Sequence, residues 1–193
     1  MREDGLWLVG CGNMGGAMLR RWVAAGFDAA RIAVIDPGTP AVPEGVAVIP
    51  ASAEAIHAHS GGGYPATIVL AVKPQQLVAA ARTLLPALAG QPALLVSILA
   101  GVEEATLLAT FGADVVVRAM PNLPVAIGRG VTALYTSSDD LDARAAAEAL
   151  ATPLGHVEWI DREDQFDAVT ALAGCGPGFV FRFADALAAA GAA

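Results

Sequence analysis

The stretch Gly10-Cys11-Gly12-Asn13-Met14-Gly15 constrains this chain more than any other. It follows Leu6-Trp7-Leu8-Val9, an apolar run that reads as a short strand buried on both faces. It opens a segment from Met14 to Ala25 in which Met18, Leu19, Trp22 and Val23 recur at helical spacing, and Gly26 ends it. Arg31-Ile32-Ala33-Val34-Ile35 is a second strand, with Asp36 at its carboxyl end and Pro37-Gly38 turning away. Strand, glycine turn, helix and a second strand ending in an acid are the context in which Gly-x-Gly-x-x-Gly binds the pyrophosphate of a dinucleotide. Each glycine has a reason: Gly10 permits the tight turn, Gly12 lets a phosphate reach the backbone, and Gly15 lets helix and sheet pack closely. The backbone amides at the helix start, those of Asn13 and Met14 among them, then face the phosphates. The competing reading, a tight strand–helix turn without a ligand, is disfavoured by this context. The cofactor implied is NADPH or NADH.

Asp36 stands 26 residues after Gly10, near where an acid hydrogen-bonds the adenosine ribose in NAD-binding folds. Asp36-Pro37-Gly38-Thr39 reads equally as a turn with Asp36 as its first residue. The choice between NADH and NADPH stays open at this point.

The alternation of strand and helix continues. Ala51 to His59 reads as a helix, Gly61-Gly62-Gly63 as a break, and Thr67 to Val72 as a third strand. Gln75 to Leu88 is a helix led by Pro74, whose missing N–H has no helical partner at a first position. Ala93 to Ile98 is a fourth strand, Val102 to Phe111 a helix and Asp114 to Arg118 a fifth strand. Val131 to Tyr135 and His156 to Ile160 add strands at the sheet edge. Between them lies a helix from Leu141 to Ala151, capped by Ser138 or Asp139. Such alternation calls for an α/β fold: a doubly wound, mainly parallel sheet of Rossmann type. It stops near Asp161. From Glu163 the pattern is helical, broken at Gly174-Cys175-Gly176-Pro177-Gly178, then helical again from Phe179 to Ala190. The expected division is a dinucleotide-binding domain over 1–161 and, over 162–193, the beginning of a helical substrate and dimerisation domain that this chain does not finish. Phe179, Phe183, Ala186, Leu187 and Ala190 then need a partner surface.

Composition narrows the function classes. Hydrophobic residues make up 55% of the 193 residues, too many for disorder, and charged residues 16%. Net charge is 11 − 19 = −8, which argues against nucleic acid or an anionic membrane as partner. The apolar stretches are far short of a membrane span, and the acidic start Met1-Arg2-Glu3-Asp4 does not read as a signal peptide, so a soluble, cytoplasmic protein is expected. Cys11 and Cys175 lie far apart beside glycines and suit reduced thiols better than a disulfide. His57, His59 and His156 read as surface residues, and no metal site is expected.

Five segments, in order, resemble those of the pyrroline-5-carboxylate reductase family. They are the glycine loop; Val72-Lys73-Pro74-Gln75; Val96-Ser97-Ile98-Leu99-Ala100-Gly101-Val102; Arg118-Ala119-Met120-Pro121-Asn122-Leu123-Pro124; and Asp167-Ala168-Val169-Thr170-Ala171-Leu172 running into Gly174-Cys175-Gly176-Pro177. The resemblance covers essentially the whole chain. It implies hydride transfer from NADPH or NADH to the C=N bond of 1-pyrroline-5-carboxylate, giving proline, and a homo-oligomer once the helical domain is completed.

Lys73, Ala100, Gly101, Met120, Pro121 and Asn122 are expected just past the carboxyl ends of strands, the edge at which ligands lie in an open α/β sheet. With Val72 and Pro74 they join Gly10, Gly12, Asn13, Met14, Gly15 and Asp36 as cofactor-binding candidates. Asn122, Thr170, Gly174, Cys175 and Gly176 are the substrate-proximal candidates, and no residue stands out as catalytic. Alternatives accompany two of these: Lys73 as a solvated loop charge, and Met120-Pro121-Asn122 as a loop fixed by Pro121 and Pro124. Ser97 reads as a small residue at a strand end. The family has serine where this chain has Ala173 and Cys175, and Ala-Tyr where it has Gly178-Phe179. Family members also continue into a Gly- and Thr-rich segment that helps bind the substrate carboxylate. A hydroxy-acid dehydrogenase of the phosphogluconate type would need a lysine late in the chain, and Lys73 is the only lysine. Two further alternatives are a nucleotide-binding module without turnover and an oxidoreductase acting on another cyclic imine or a flavin-like cofactor.

Overall fold

The computed structural model describes residues 5–60, 65–88 and 94–192. The expected lead from Met1 to Asp4, the Gly61-Gly62-Gly63 break and Ala93 lie outside these residues. In chain order the elements are β1 (Leu6–Val9), α1 (Asn13–Ala24), β2 (Ile32–Asp36), β3 (Ala47–Pro50), α2 (Ala53–Ser60), β4 (Thr67–Leu70), α3 (Leu77–Leu84), β5 (Leu94–Ser97) and α4 (Glu104–Phe111). Then follow β6 (Val115–Pro121), β7 (Gly130–Tyr135), α5 (Leu141–Ala151), β8 (Gly155–Trp159), α6 (Phe166–Val169) and α7 (Gly176–Gly191).

Among the described residues the strands form one sheet in the order β3-β2-β1-β4-β5-β6-β7-β8. Neighbours are parallel throughout except β6 and β7, which run antiparallel. Alternate residues of the central strands feed two cores. Leu8, Val34, Val69, Val96 and Val117 pack against Met18, Leu19 and Trp22 of α1 and Leu150 of α5. Val9, Ile35, Ile68, Leu95 and Val116 pack against Ile56 of α2, Leu84 of α3 and Leu107 and Phe111 of α4. Helices therefore cover both faces, which is why these strands are apolar throughout rather than alternating. Trp22 is fully buried and donates from Nε1 to the Leu150 carbonyl at 2.7 Å, fastening α1 to α5.

The sheet matches the expected architecture, with four local differences. β3 is a strand that the sequence reading leaves out. It sits at the sheet edge and ends on Pro50, and an edge position tolerates a residue without an N–H. β6 continues three residues beyond Arg118 to Pro121. β5 has already ended at Ser97 opposite Arg118, so past that point β6 pairs only with β7, and one missing donor is cheap there. The cap of α5 is Asp140, not Ser138 or Asp139: its Oδ1 accepts from the Asp142 and Ala143 N–H groups at 2.9 and 3.0 Å. Finally, the chain does not break at Gly174–Gly178. A π-helical segment over Thr170–Cys175 joins α6 to α7, and Pro177 falls where the π register gives way to α, so the ladder is already irregular at the missing donor.

Thr132 in β7 is 1% exposed, and its hydroxyl has no hydrogen-bond partner among the described residues. It borders a small void shared with Trp22, Pro121 and Leu134. Thr132→Val keeps the shape and removes an unsatisfied polar atom, so it should stabilise the fold by about 1 kcal/mol, or roughly 2–4 °C in Tm. Calorimetry of the two proteins checks this; an unchanged or lower Tm would mean that the hydroxyl has a partner, such as a water held in the void.

Candidate functional site

The strand order reverses at β1, which lies between β2 and β4. A crevice opens at such a switch point, at the carboxyl ends of the strands. Gly10 sits there with φ +91°, a conformation that costs little only for glycine. Its N–H donates to the Ile35 carbonyl at 2.9 Å, and a Cβ on it would stand 2.8 Å from the Ala71 carbonyl oxygen. A Cβ on Gly15 would collide with the Gly10 carbonyl oxygen. Both glycines are therefore required by packing.

Gly12 is different. It has φ −71°, and a Cβ on it would meet nothing within 4 Å. Protein packing gives no reason for a glycine here; room for a ligand to approach the backbone does. Gly12 is also the N-cap of α1, with no side-chain cap, and the first bond of the helix runs from the Gly16 N–H to the Gly12 carbonyl at 2.8 Å. The N–H groups of Asn13, Met14 and Gly15 thus precede the first intrahelical donor and have no partner within the helix. Three free amides, a helix N-terminus and open space over Gly12 fit a pyrophosphate.

Asp36 closes β2 beside this loop. Its Oδ2 accepts from the Cys11 N–H at 2.7 Å, and its Oδ1 accepts from the Gly38 N–H at 2.8 Å. The structure shows the turn that starts at Asp36, and its carboxylate is also tied to the glycine loop. Burial pushes the half-buried Cys11 thiol up, the Asp36 carboxylate adds to this, and Arg20 opposes it. Since the thiolate is the nucleophile, Cys11 should react with iodoacetamide at pH 7.5 well below the rate of the exposed Cys175. Its rate should climb as pH passes the ordinary thiol range, about tenfold per unit below its pKa. Peptide mass spectrometry across a pH series checks this, and equal labelling of both thiols at neutral pH would contradict it.

The next strands bring the other candidates to the same edge. Val9 pairs with Leu70, Leu70 with Ser97 and Ser97 with Arg118, so the loops after β1, β4 and β5 emerge side by side. Val72 is half-buried against Gly10, its Cγ1 3.0 Å from where a Gly10 Cβ would stand. Lys73 is exposed, and its N–H donates to Gln76 Oε1 at 3.1 Å; Pro74 starts the short helical turn Pro74–Gln76. Ala100 and Gly101 are exposed, Gly101 with φ +71°. Ser97 is buried and its Oγ accepts from the Leu99 N–H at 3.3 Å, a local structural use.

Met120 and Pro121 do not lie past a strand, contrary to expectation. They are the last two residues of β6, both buried, and Met120 packs with Ala133 and Phe166. Asn122 follows them. Its Oδ1 accepts from the Val131 N–H at 2.8 Å, so that half of the amide holds the β6–β7 connection. Thr170, Gly174, Cys175 and Gly176 occupy the π segment and the start of α7. The Thr170 hydroxyl donates to the Phe166 carbonyl at 2.8 Å, while Gly174 and Cys175 are exposed.

One cluster escapes the sequence reading altogether. Arg118, 6% exposed at its side chain, donates from Nη1 to Glu163 Oε1 at 2.8 Å and lies 4.2 Å over the Phe166 ring. The same Glu163 oxygen accepts from the Glu104 N–H, the first amide of α4, at 2.6 Å. The buried Glu104 carboxylate accepts from the Thr136 hydroxyl at 3.1 Å and the Ser137 N–H at 2.9 Å. Burial, then Glu104 and Glu163, push the nearby Tyr135 hydroxyl up, and Arg118 opposes them. Glu163 thus caps α4 and neutralises Arg118, fastening the helical segment to the sheet. Separations of 45 and 59 residues leave no local pattern to read.

Comparison with known proteins agrees with this fold. The family model for pyrroline-5-carboxylate reductase dimerisation matches residues 163–193, and the model for NADP oxidoreductase, coenzyme F420-dependent, matches residues 6–101. The pyrroline-5-carboxylate reductase of Pseudomonas aeruginosa is 36% identical over 190 residues, covering 95% of this chain and 67% of that protein. That of Haemophilus influenzae is 31% identical over 190 residues, covering 97% and 69%. The chain belongs to the pyrroline-5-carboxylate reductase family. The solved reductase of Coxiella burnetii is similar with a TM-score of 0.81 at 27% identity, over 98% of this chain and 71% of that one. The Plasmodium falciparum structure, solved with NADP bound, has a TM-score of 0.80 at 23% identity and adds agreement in fold. The chain spans about two thirds of the length of these relatives, while its match to the Aquifex aeolicus reductase covers 46% of that protein at 41% identity. Among the described residues no helix is long and apolar enough to cross a membrane, and no cluster of His, Cys, Asp or Glu could hold a metal ion.

Proposed function

We propose that this chain carries out the NAD(P)H-dependent reduction of 1-pyrroline-5-carboxylate to L-proline. The observation that carries this reading is the pairing of two features: 36% identity to the Pseudomonas reductase along 95% of the chain, and a glycine loop whose Gly12 is left open. Residues 162–193 begin the helical domain, and α7 offers Phe179, Phe183 and Leu187, all more than half exposed, to a second copy of the chain. The match of residues 163–193 to the family's dimerisation model supports that partner.

A reduced nicotinamide, when bound, supplies the hydride to the C=N carbon, and the ring nitrogen takes a proton. A protonated cyclic imine is already electrophilic, so the chain's task is alignment and exclusion of water. The Gly12–Gly15 amides hold the pyrophosphate. Lys73, Ala100 and Gly101 line the edge along which the nicotinamide half extends, and the Asn122 Nδ2, not used in the bond to Val131, is available to nicotinamide or substrate. Thr170 and the helical Gly174-Cys175-Gly176 segment are the candidates for the substrate side.

The test follows nicotinamide absorbance with purified protein, NADH or NADPH, and 1-pyrroline-5-carboxylate, with proline identified as product. Imine-dependent oxidation is expected. Tight dinucleotide binding without imine-dependent oxidation would overturn the reductase reading and leave a binding module without turnover.

A further inference from the structure

We infer that Asp36 makes the glycine-loop site selective for NADH over NADPH, an inference that rests on reading this loop as a dinucleotide cradle. The carboxylate is held in place from two sides, by the Cys11 N–H at 2.7 Å and the Gly38 N–H at 2.8 Å. It cannot swing away without giving up both bonds. One of those bonds ties it directly to the loop that carries the pyrophosphate amides. A carboxylate has about four acceptor positions, and two backbone donors leave the others for ribose hydroxyls. At the end of the second strand of such a fold, an acid meets the adenosine ribose, whereas a 2′-phosphate is accommodated where a nearby arginine receives it.

The segment after Asp36 contains nothing that would receive a 2′-phosphate as a counter-charge. Pro37-Gly38-Thr39-Pro40-Ala41-Val42-Pro43-Glu44 has no lysine or arginine, and its only ionisable group is another acid. Three of its residues are prolines without an N–H to donate. Arg20, the one cation that acts on Cys11, stands near its sulfur on the α1 side, since a Gly16 Cβ would lie 3.3 Å from the Arg20 Nη1 and 3.7 Å from Cys11 Sγ. Among the described residues it forms no ion pair with Asp36, whose oxygens are held by backbone N–H groups. A phosphate carrying close to two negative charges would instead stand against a fixed carboxylate. The ribose 2′-hydroxyl of NADH meets an acceptor at the same place.

The experiment measures dissociation constants for NADH and NADPH by calorimetry, on the full chain and on Asp36→Asn, with circular dichroism to check that both fold. The unmodified chain is expected to bind NADH about tenfold or more tightly than NADPH, a gap of about 1.4 kcal/mol. Asp36→Asn keeps an acceptor for the Cys11 N–H and removes the charge, so the preference should fall to within about threefold, chiefly through a gain in NADPH affinity. Equal or tighter NADPH binding by the unmodified chain would overturn the inference and leave the dinucleotide reading intact; that comparison needs no variant. An unchanged preference in a folded Asp36→Asn protein would also overturn it. Binding of neither dinucleotide would overturn the inference together with the cradle reading, and is thereby told apart from a loss of selectivity alone.

Discussion

Gly12→Val should cost dinucleotide affinity on the order of 100-fold or more, or about 2.7 kcal/mol, while the protein stays folded. Gly12 is extended, at φ −71° and ψ −159°, a region that valine also adopts, and its added atoms would project into open space within the protein. The stability loss should stay within about 1 kcal/mol, since valine is a poorer helix N-cap than glycine. Affinity suffers for a different reason. The branched side chain fills the space through which a phosphate reaches the Asn13, Met14 and Gly15 amides. Gly15→Val provides the contrast, because its Cβ would collide with the Gly10 carbonyl oxygen and unfolding should accompany any loss of binding. Calorimetric titration beside thermal melts separates the two. A Gly12→Val protein that binds NADH normally would show that the open space is not the ligand's path.

Glu163→Ala should destabilise the fold by about 3 kcal/mol, near the low end for breaking a buried pair, because Glu163 is still 27% exposed at its side chain. The loss has two parts. Arg118 is left buried without its counter-charge, and the first amide of α4 is left without an acceptor. The α6 segment should loosen first, since Glu163 and Phe166 are its anchors to β6, and hydrogen exchange would report faster exchange over residues 163–175. Arg118→Met combined with Glu163→Leu should cost less than the two single changes added together, because it removes the buried charge along with its partner. A Glu163→Ala loss below about 1 kcal/mol would mean that the pair behaves as a surface salt bridge, and that apolar packing of Phe166 holds this segment instead.

These two sites differ in how far they could be read from the sequence. The glycine loop is local: an apolar four-residue strand, three glycines at fixed offsets and a helical stripe lie within 20 residues and are dictated by backbone sterics. Its structure follows the expectation to within a residue or two. The termini of elements were less legible where proline intervenes. Pro50 and Pro121 each close a strand where a ladder partner is absent on one side. Pro177 and its flanking glycines read as a break, yet the π-helical segment just before α7 carries the helix past the missing donor. The Arg118–Glu163–Glu104 network was not legible at all. Its members are charged residues on separate elements, and only the folded topology places a carboxylate from the helical segment over the end of α4. Lone arginines and glutamates in a sequence carry no sign of such a partner. Asn122 lies between these cases: its neighbourhood was recognised, but the bond to the Val131 N–H, which ties it to the β7 edge, depends on the antiparallel turn back of the sheet.

The account stands on a dinucleotide lying across the start of α1. The most direct measurement is a titration of the 15N-labelled protein with NADH, followed through its backbone amide resonances. The largest shifts are expected at Gly12, Asn13, Met14 and Gly15, with smaller ones at Gly38 and Lys73, and little change along α7. Saturable shifts centred elsewhere, or no response of these four amides at millimolar NADH, would contradict it.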